Sequence, residues 1–291
     1  MEKRLQLKQM NTQNKRTTGK EQYYTPNHIA KECVRVMKRY VSSDVIWLEP
    51  AGGTGAFIEA LLEANIEQTK IISFDIEPKH SLVKQTYNFL NEDVTCLASQ
   101  QIVTLTNPPF GRCNSLCVPF FNKCANVSTH IGFIVPKSWR KWSVINKLHK
   151  NFHLVYDEEL KIDYIREADT KSNGNLKTVF QIWQRKETVR EKLTAENRGY
   201  IQKSTPENAD VSLTVFGRGC GNVKTDFKRV NNTTQMFLKT QHPWVLQALQ
   251  SVNYNKYCDN VAFIQALSTA EIYSLLNEWA DTHNSTKLCS L

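Results

Sequence analysis

The chain has 291 residues, a length that suits one large or two modest domains, and 41% hydrophobic residues is enough for a sizeable core. No run of about 18 apolar residues occurs, which argues against a membrane span. The net charge of +9, with a pI near 9.1, favours a polyanionic partner without identifying one.

The N-terminus, Met1 to Lys8, has neither an apolar core nor a small-residue cleavage site, so a secretory signal is not expected. The expectation is an intracellular, soluble protein. Its eight cysteines are then expected as free reduced thiols. Cys113, Cys117 and Cys124 lie closer together, with His130 nearby. A zinc site would want paired thiolates at short spacing on both sides, whereas Cys117 and Cys124 fall on a predicted helix among apolar neighbours. Buried thiols and no metal are therefore expected.

Residues 1 to about 20 are polar and read as a loosely held arm. The next stretch, Tyr23-Tyr24-Thr25-Pro26-Asn27, leads into a helix on which Ile29, Cys33, Val36, Met37 and Tyr40 recur at helical spacing, with Asn27 as its expected N-cap. A short strand follows at 44–48, a helix at 56–64, a strand at 71–74, a weak helix at 79–85 and a strand at 86–90. Then come a strand at 102–105, a helix at 116–126, a strand at 131–135, a helix at 139–150 and strands at 152–156 and 177–183. Strands alternating with helices predict a doubly wound α/β sheet of about seven strands. The last two strands flank Ser172-Asn173-Gly174 closely enough to predict an antiparallel edge. The charged stretch 184–192 reads as a boundary. Beyond it a smaller α+β region is expected, with strands at 211–216 and 236–238, a glycine turn at Gly217-Arg218-Gly219-Cys220-Gly221, and helices at 243–251 and 268–280.

Four motifs carry the chemistry. Glu49-Pro50-Ala51-Gly52-Gly53-Thr54-Gly55 follows the first strand and opens a helix, where glycines let the backbone approach a ligand closely. It matches neither the triphosphate-binding loop nor G-x-G-x-x-G, and alone it reads equally as a tight loop packing helix on strand. Asp75, about 20 positions further on at the end of the second strand, suits the two hydroxyls of a ribose; alone it reads equally as a solvated strand end. Asp93 suits an adenine amino group and reads equally as a turn cap. Thr106-Asn107-Pro108-Pro109-Phe110 ends the fourth strand. The Asn107 carboxamide, a carbonyl held beside proline and a flat aromatic together suit a planar base bearing an exocyclic amine.

Together these residues resemble the S-adenosylmethionine-dependent amino-methyltransferases, specifically the N6-adenine DNA group, over about residues 20–185. Asn107-Pro108-Pro109-Phe110 resembles the family's catalytic signature, and Glu49 to Gly55, with Ala51, Gly53 and Gly55, its cofactor loop. Asp75 matches the acidic ribose ligand and Asp93 the position that meets the cofactor's adenine. Tyr24-Thr25-Pro26 matches the segment that covers the methionine end, and Phe180 looks like the later aromatic that supports a flipped base. The resemblance implies a Rossmann-like methyltransferase domain at 21–190 and a C-terminal target-recognition region at 195–291, short like the tails of compact phage and virus enzymes. It implies S-adenosyl-L-methionine as cofactor, DNA as partner and no metal. It also implies a mechanism. Asn107 Oδ1 and the Pro108 carbonyl accept from adenine N6, Phe110 stacks on a base flipped out of the duplex, and N6 attacks the methyl in line.

Basic residues are expected along the nucleic-acid path: Lys137, Arg140 and Lys141 after the fifth strand, Arg112 after the catalytic loop, and Arg218 and Lys228 in the tail. The run at 136–142 reads equally as a solvated helix start, and the tail as an edge hairpin kept soluble by charge. The same signature occurs in enzymes acting on adenine in RNA and on protein glutamine. A rival of another class is a non-catalytic nucleic-acid-binding subunit. The intact asparagine and glycines weigh against it.

Overall fold

A computed structural model of the protein describes residues 23–83, 85–97, 100–162, 176–227 and 233–288. Two sheets organise them. The larger has seven strands: β1 (Ile46–Glu49), β2 (Ile71–Asp75), β3 (Gln85–Thr86), β4 (Ile102–Thr106), β5 (Ser128–Pro136), β6 (Phe152–Leu160) and β7 (Thr178–Arg185). Their order is β3-β2-β1-β4-β5-β7-β6. Strands β1 to β5 pair in parallel, and β7 runs antiparallel to both β5 and β6. The antiparallel strand thus lies inside the sheet and β6 forms the edge. The order reverses at β1 and β4, a switch point that leaves a crevice beyond the carboxyl ends of the strands.

Side chains alternate between the two faces of the sheet, and because both faces are covered the central strands are buried almost throughout. Trp47, Val103, Leu105, Ile134, Phe180 and Ile182 turn to the face covered by α1 (Asn27–Met37) and α2 (Ala56–Glu63). Leu48, Ile102, Ile131, Phe133, Val135 and Trp183 turn to the other, where α3 (Cys117–Cys124) brings Phe121. Phe121 packs edge-on against Phe133, Trp139, Phe152 and Trp183. Cys117 and Cys124 lie buried in this layer as free thiols, whereas Cys113, expected to be buried with them, is exposed.

The second sheet is antiparallel, in the order β10-β9-β11-β8, from β8 (Ile201–Lys203), β9 (Val211–Thr214), β10 (Val223–Lys224) and β11 (Gln235–Thr240). It packs Leu213 and Leu238 with Val245 and Leu249 of α5 (Pro243–Ser251) and with Ile272 and Leu276 of α7 (Thr269–Leu288). Two short helices, α4 (Trp142–Ile145) and α6 (Asn255–Cys258), meet through the edge-on rings of Trp142 and Tyr257.

The structure corrects several expected elements. Pro26, not Asn27, is the N-cap of α1, and its carbonyl accepts from the Ile29 and Ala30 amides at 3.0 and 3.1 Å. No helix forms over the described residues of 79–85; the chain turns there instead, and β3 is two residues long. The helix expected over 139–150 is the four-residue α4, preceded by a 3-10 turn at Lys137–Arg140. No helix among the described residues is long and apolar enough to cross a membrane.

Candidate active site

The loops leaving β1, β2, β3 and β4 converge on one cavity. The first supplies Pro50, Ala51 and Gly53, the second Asp75, Ile76 and Glu77, the third Tyr87 to Leu90, and the fourth Asn107, Pro108 and Pro109. Leu116 and Phe120 close one side, and Tyr23 and Tyr24 the other.

The glycine loop lies flat because two of its glycines have no room for a side chain. A Cβ at Gly52 would fall 2.7 Å from Ser73 Oγ and 2.9 Å from Val83 Cγ2. Gly55 starts α2 at φ +82°, and a Cβ there would meet the His80 ring at 2.4 Å. Gly55 therefore shapes the loop without lining the cavity. Glu49 anchors the loop from behind. It is 2% exposed, and its Oε1 accepts from the Ala51 amide at 3.0 Å and from the Thr106 hydroxyl. Burial, reinforced by the Asp75 charge, pushes its carboxyl up to about 8 against the pull of those two hydrogen bonds.

Asp75 borders the cavity. Its Oδ2 accepts from the Gly53 amide and its Oδ1 from the Glu77 amide, both at 2.7 Å. A carboxylate offers about four acceptor positions, so capacity for a diol is left on each oxygen. Beside it Ile76 is 54% exposed, an apolar face next to an acidic one.

The decisive geometry is at Asn107. Its Nδ2 donates to the Tyr23 carbonyl at 2.9 Å and to Thr25 Oγ1 at 3.0 Å. Those two acceptors fix which way the carboxamide points. Its Oδ1 is then left buried with no partner among the described residues, as is Tyr24 Oη. A buried unpaired acceptor costs on the order of 1–3 kcal/mol, a cost relieved by a ligand that brings a donor. Thr25 and Pro26 thus act behind the cavity, Thr25 by orienting Asn107 and Pro26 by starting α1.

Several expected site residues lie elsewhere. Phe110 is 4% exposed and is not part of the cavity wall; the Tyr23 ring stacks on it at 5.7 Å and 21°. Asp93 is exposed and caps the Thr95 amide at 2.9 Å, a bond that holds its carboxyl below the usual range. Because β3 ends at Thr86, residues 87–90 reach the cavity and Asp93 lies beyond it. Phe180 is 2% exposed in the core under α1, edge-on to Tyr156 at 6.1 Å. The cations after β5 are paired within the fold. Lys137 Nζ lies 2.6 Å from Glu159, and Arg140 binds both oxygens of Asp157 and, at 2.7 Å, Glu159. Lys141 donates to the Tyr257 and Ala266 carbonyls at 2.8 Å and to Glu271 at 2.9 Å. Arg112 and Arg218 are exposed. Lys228 lies outside the described residues.

The sequence reading missed Tyr23, Ile76, Tyr87, Asn88, Leu116 and Phe120 as cavity residues. Asn88 carried a signal, a carboxamide breaking an apolar run; its Oδ1 accepts from the Leu90 amide at 3.2 Å and bends the chain into the cavity.

No family model matches the chain, and no curated protein does. Among solved structures, a candidate RNA methyltransferase from Pyrococcus horikoshii overlaps with a TM-score of 0.44 at 15% identity, covering 57% of this chain and 87% of that one. The M protein of the type I restriction enzyme EcoKI overlaps at 0.43 and 17%, covering 59% of this chain and 46% of that one. The 23S rRNA methyltransferase ErmE overlaps at 0.40 and 11%, covering 59% and 73%. At these scores and identities the overlap assigns neither a family nor a substrate.

Proposed function

We propose that the protein is an S-adenosylmethionine-dependent methyltransferase acting on the N6 amino group of adenine in DNA. The observation that carries this reading is the Asn107 carboxamide, oriented by Tyr23 and Thr25 so that a buried Oδ1 has no donor among the described residues. An exocyclic amino group brings the missing donor. A hydroxyl or thiol acceptor would use only one of the two adjacent carbonyls, Asn107 Oδ1 and the Pro108 carbonyl. An amino group uses both, and hydrogen bonding there draws its lone pair out of conjugation towards the incoming carbon.

The cofactor would supply an electrophilic methyl on a sulfonium. The residues present fit it. The loop at Ala51 and Gly53 carries only a methyl and a hydrogen, Asp75 keeps acceptor capacity for a ribose, and Ile76 adjoins it as an apolar surface for a purine. Tyr24, whose ring adjoins Gly53, carries a buried hydroxyl with no partner among the described residues that can donate to a carboxylate. The chain's own part would be to position the amino nitrogen against the methyl carbon.

Residues 21–190 would form the methyltransferase unit and residues 195–291 the target-recognition region. The +9 charge suits a polyanion, DNA and RNA alike, and weighs only mildly against a glutamine side chain of a protein.

The test is transfer from methyl-labelled cofactor to unmethylated DNA, to RNA and to protein, followed by nucleoside analysis. N6-methyladenine in DNA is expected. Label in RNA or protein alone would overturn the acceptor. Asn107→Ala should abolish transfer with cofactor affinity kept, measured by calorimetry; a variant that still transfers refutes the role given to Asn107.

A further inference from the structure

Three large apolar side chains are exposed in the C-terminal region. Phe216, Phe263 and Ile264 are 45%, 57% and 54% exposed. Single exposed apolar residues are ordinary, but a group on one surface asks for an occupant. Phe216 forms an isolated antiparallel bridge with Ala266, which places the bend at 261–264 beside it.

Hydrogen bonds tie that bend at its base. The Gly217 amide donates to the Gln265 carbonyl, and the Leu267 amide to the Val215 carbonyl, both at 2.9 Å. Gln265 Nε2 donates to Asp259 Oδ1 at 2.8 Å, and Lys141 Nζ to the Ala266 carbonyl at 2.8 Å. Phe263 and Ile264 project from the tip of this frame.

The bend also sits at the catalytic edge of the large sheet. The Lys177 amide donates to the Ala262 carbonyl at 2.9 Å, and the Lys177 carbonyl accepts from Lys137 at the end of β5. Thr178 pairs with Pro136, and β5 neighbours β4, whose end carries Asn107. The tip therefore lies two or three strand spacings from the Asn107 loop, roughly 10–15 Å. Cations border it: Arg218 is exposed on the turn after Phe216, and Lys177 is 44% exposed with its Nζ 3.9 Å from Asp259.

An exposed apolar tip with two cations beside it, near a pocket for an amino-bearing base, matches the chemistry of a stacked and charged polymer. We propose that Phe263 and Ile264, with Phe216 beside them, form a wedge that enters the base stack of a DNA duplex as the target base turns out towards Asn107. The inference rests on the DNA-methyltransferase reading and names the duplex as its partner. Apolar side chains inserted between base steps unstack them and offset part of the cost of flipping. Arg218 and Lys177 contact phosphates on either side of the opened step.

The test compares the wild type with Phe263→Ala/Ile264→Ala and with Phe263→Leu on unmethylated PCR-amplified DNA, supplied as duplex and as heat-separated single strands. Permanganate reactivity of unstacked thymines reports opening without reference to methylation. The wild type and Phe263→Leu should create reactive thymines in the duplex, and the double variant should not. The double variant should methylate duplex about tenfold or more slowly, while its rate on single strands, where no stack must be opened, stays within about twofold. Equal thymine reactivity in wild type and double variant, or equal loss on both DNA forms, overturns the wedge. So does a wild-type dimer that the double substitution makes monomeric, which would assign the patch to a second copy. A wild type that opens duplex DNA yet methylates no nucleic acid removes the methyltransferase reading and leaves the wedge standing.

Discussion

Asn107 and Glu49 show how two residues of one site are linked through backbone. Glu49 ends β1 and accepts from Thr106, the last residue of β4, and from Ala51 in the glycine loop. It therefore fastens the cofactor loop to the strand that delivers Asn107. A carboxyl raised to about 8 in the fold, against 4.5 as its ordinary value, binds a proton that the unfolded chain releases. Its stabilising contribution is complete below the unfolded pKa, falls as pH rises, and is gone above about 8. The slope cannot exceed about 1.4 kcal/mol per pH unit. Glu49→Gln keeps an acceptor for Thr106 and Ala51 and removes the titration. Urea unfolding from pH 5 to 9, a range set by the raised carboxyl, should show wild-type stability falling with pH and a flatter Glu49→Gln profile. Parallel profiles would show that Glu49 does not titrate in this window.

The elements were legible wherever local pattern decides and illegible wherever a distant partner does. The continuous apolar run at β4, all five residues of which are buried, reads directly as a central parallel strand. The glycine loop and Asn107-Pro108-Pro109 read as cavity loops because they follow such strands. Phe110 and Phe180 carried the right residue type, but packing turned one under Tyr23 and the other into the core, and no local pattern encodes that. Lys137 and Arg140 looked like free cations because their partners, Asp157 and Glu159, lie on β6, brought alongside only by the pairing of β7 with both β5 and β6. Lys141 is the extreme case. It reaches Glu271, 1% exposed at the start of α7, and two carbonyls of the C-terminal region. Lys141→Ala takes the cation from a buried carboxylate, which keeps the Ser268 amide at 2.8 Å, and the donor from the Ala266 carbonyl, and should cost about 3–5 kcal/mol. Thermal unfolding should register this, with Glu271→Gln/Lys141→Met milder because it removes the charge along with its partner. A Lys141→Ala protein as stable as wild type would show that the two sheets do not depend on this link.

At the scale of the whole molecule, the net charge of +9 overstates the cations open to a polyanion. Lys137, Arg140 and Lys141 are paired internally, whereas Arg112, Lys177 and Arg218 stand at the surface, and Lys177 and Arg218 border the exposed tip at Phe263. On the proposed reading, duplex affinity should fall with salt, each phosphate contact adding about −0.9 to the slope of log K against log salt. Arg218→Ala should therefore make the slope shallower by roughly one contact and weaken binding evenly across sequences, since a phosphate contact carries no base information. Arg140→Ala makes the opposite forecast. It breaks bonds to Asp157 and Glu159, so it should lower stability and leave the salt slope unchanged. Fluorescence anisotropy of a labelled mixed-sequence duplex, titrated between about 50 and 200 mM salt, separates the two. If Arg140→Ala changes the slope as much as Arg218→Ala, the internal pairing seen at Arg140 opens on binding, and the cationic path runs along β5 and β6 instead of around the Phe263 tip.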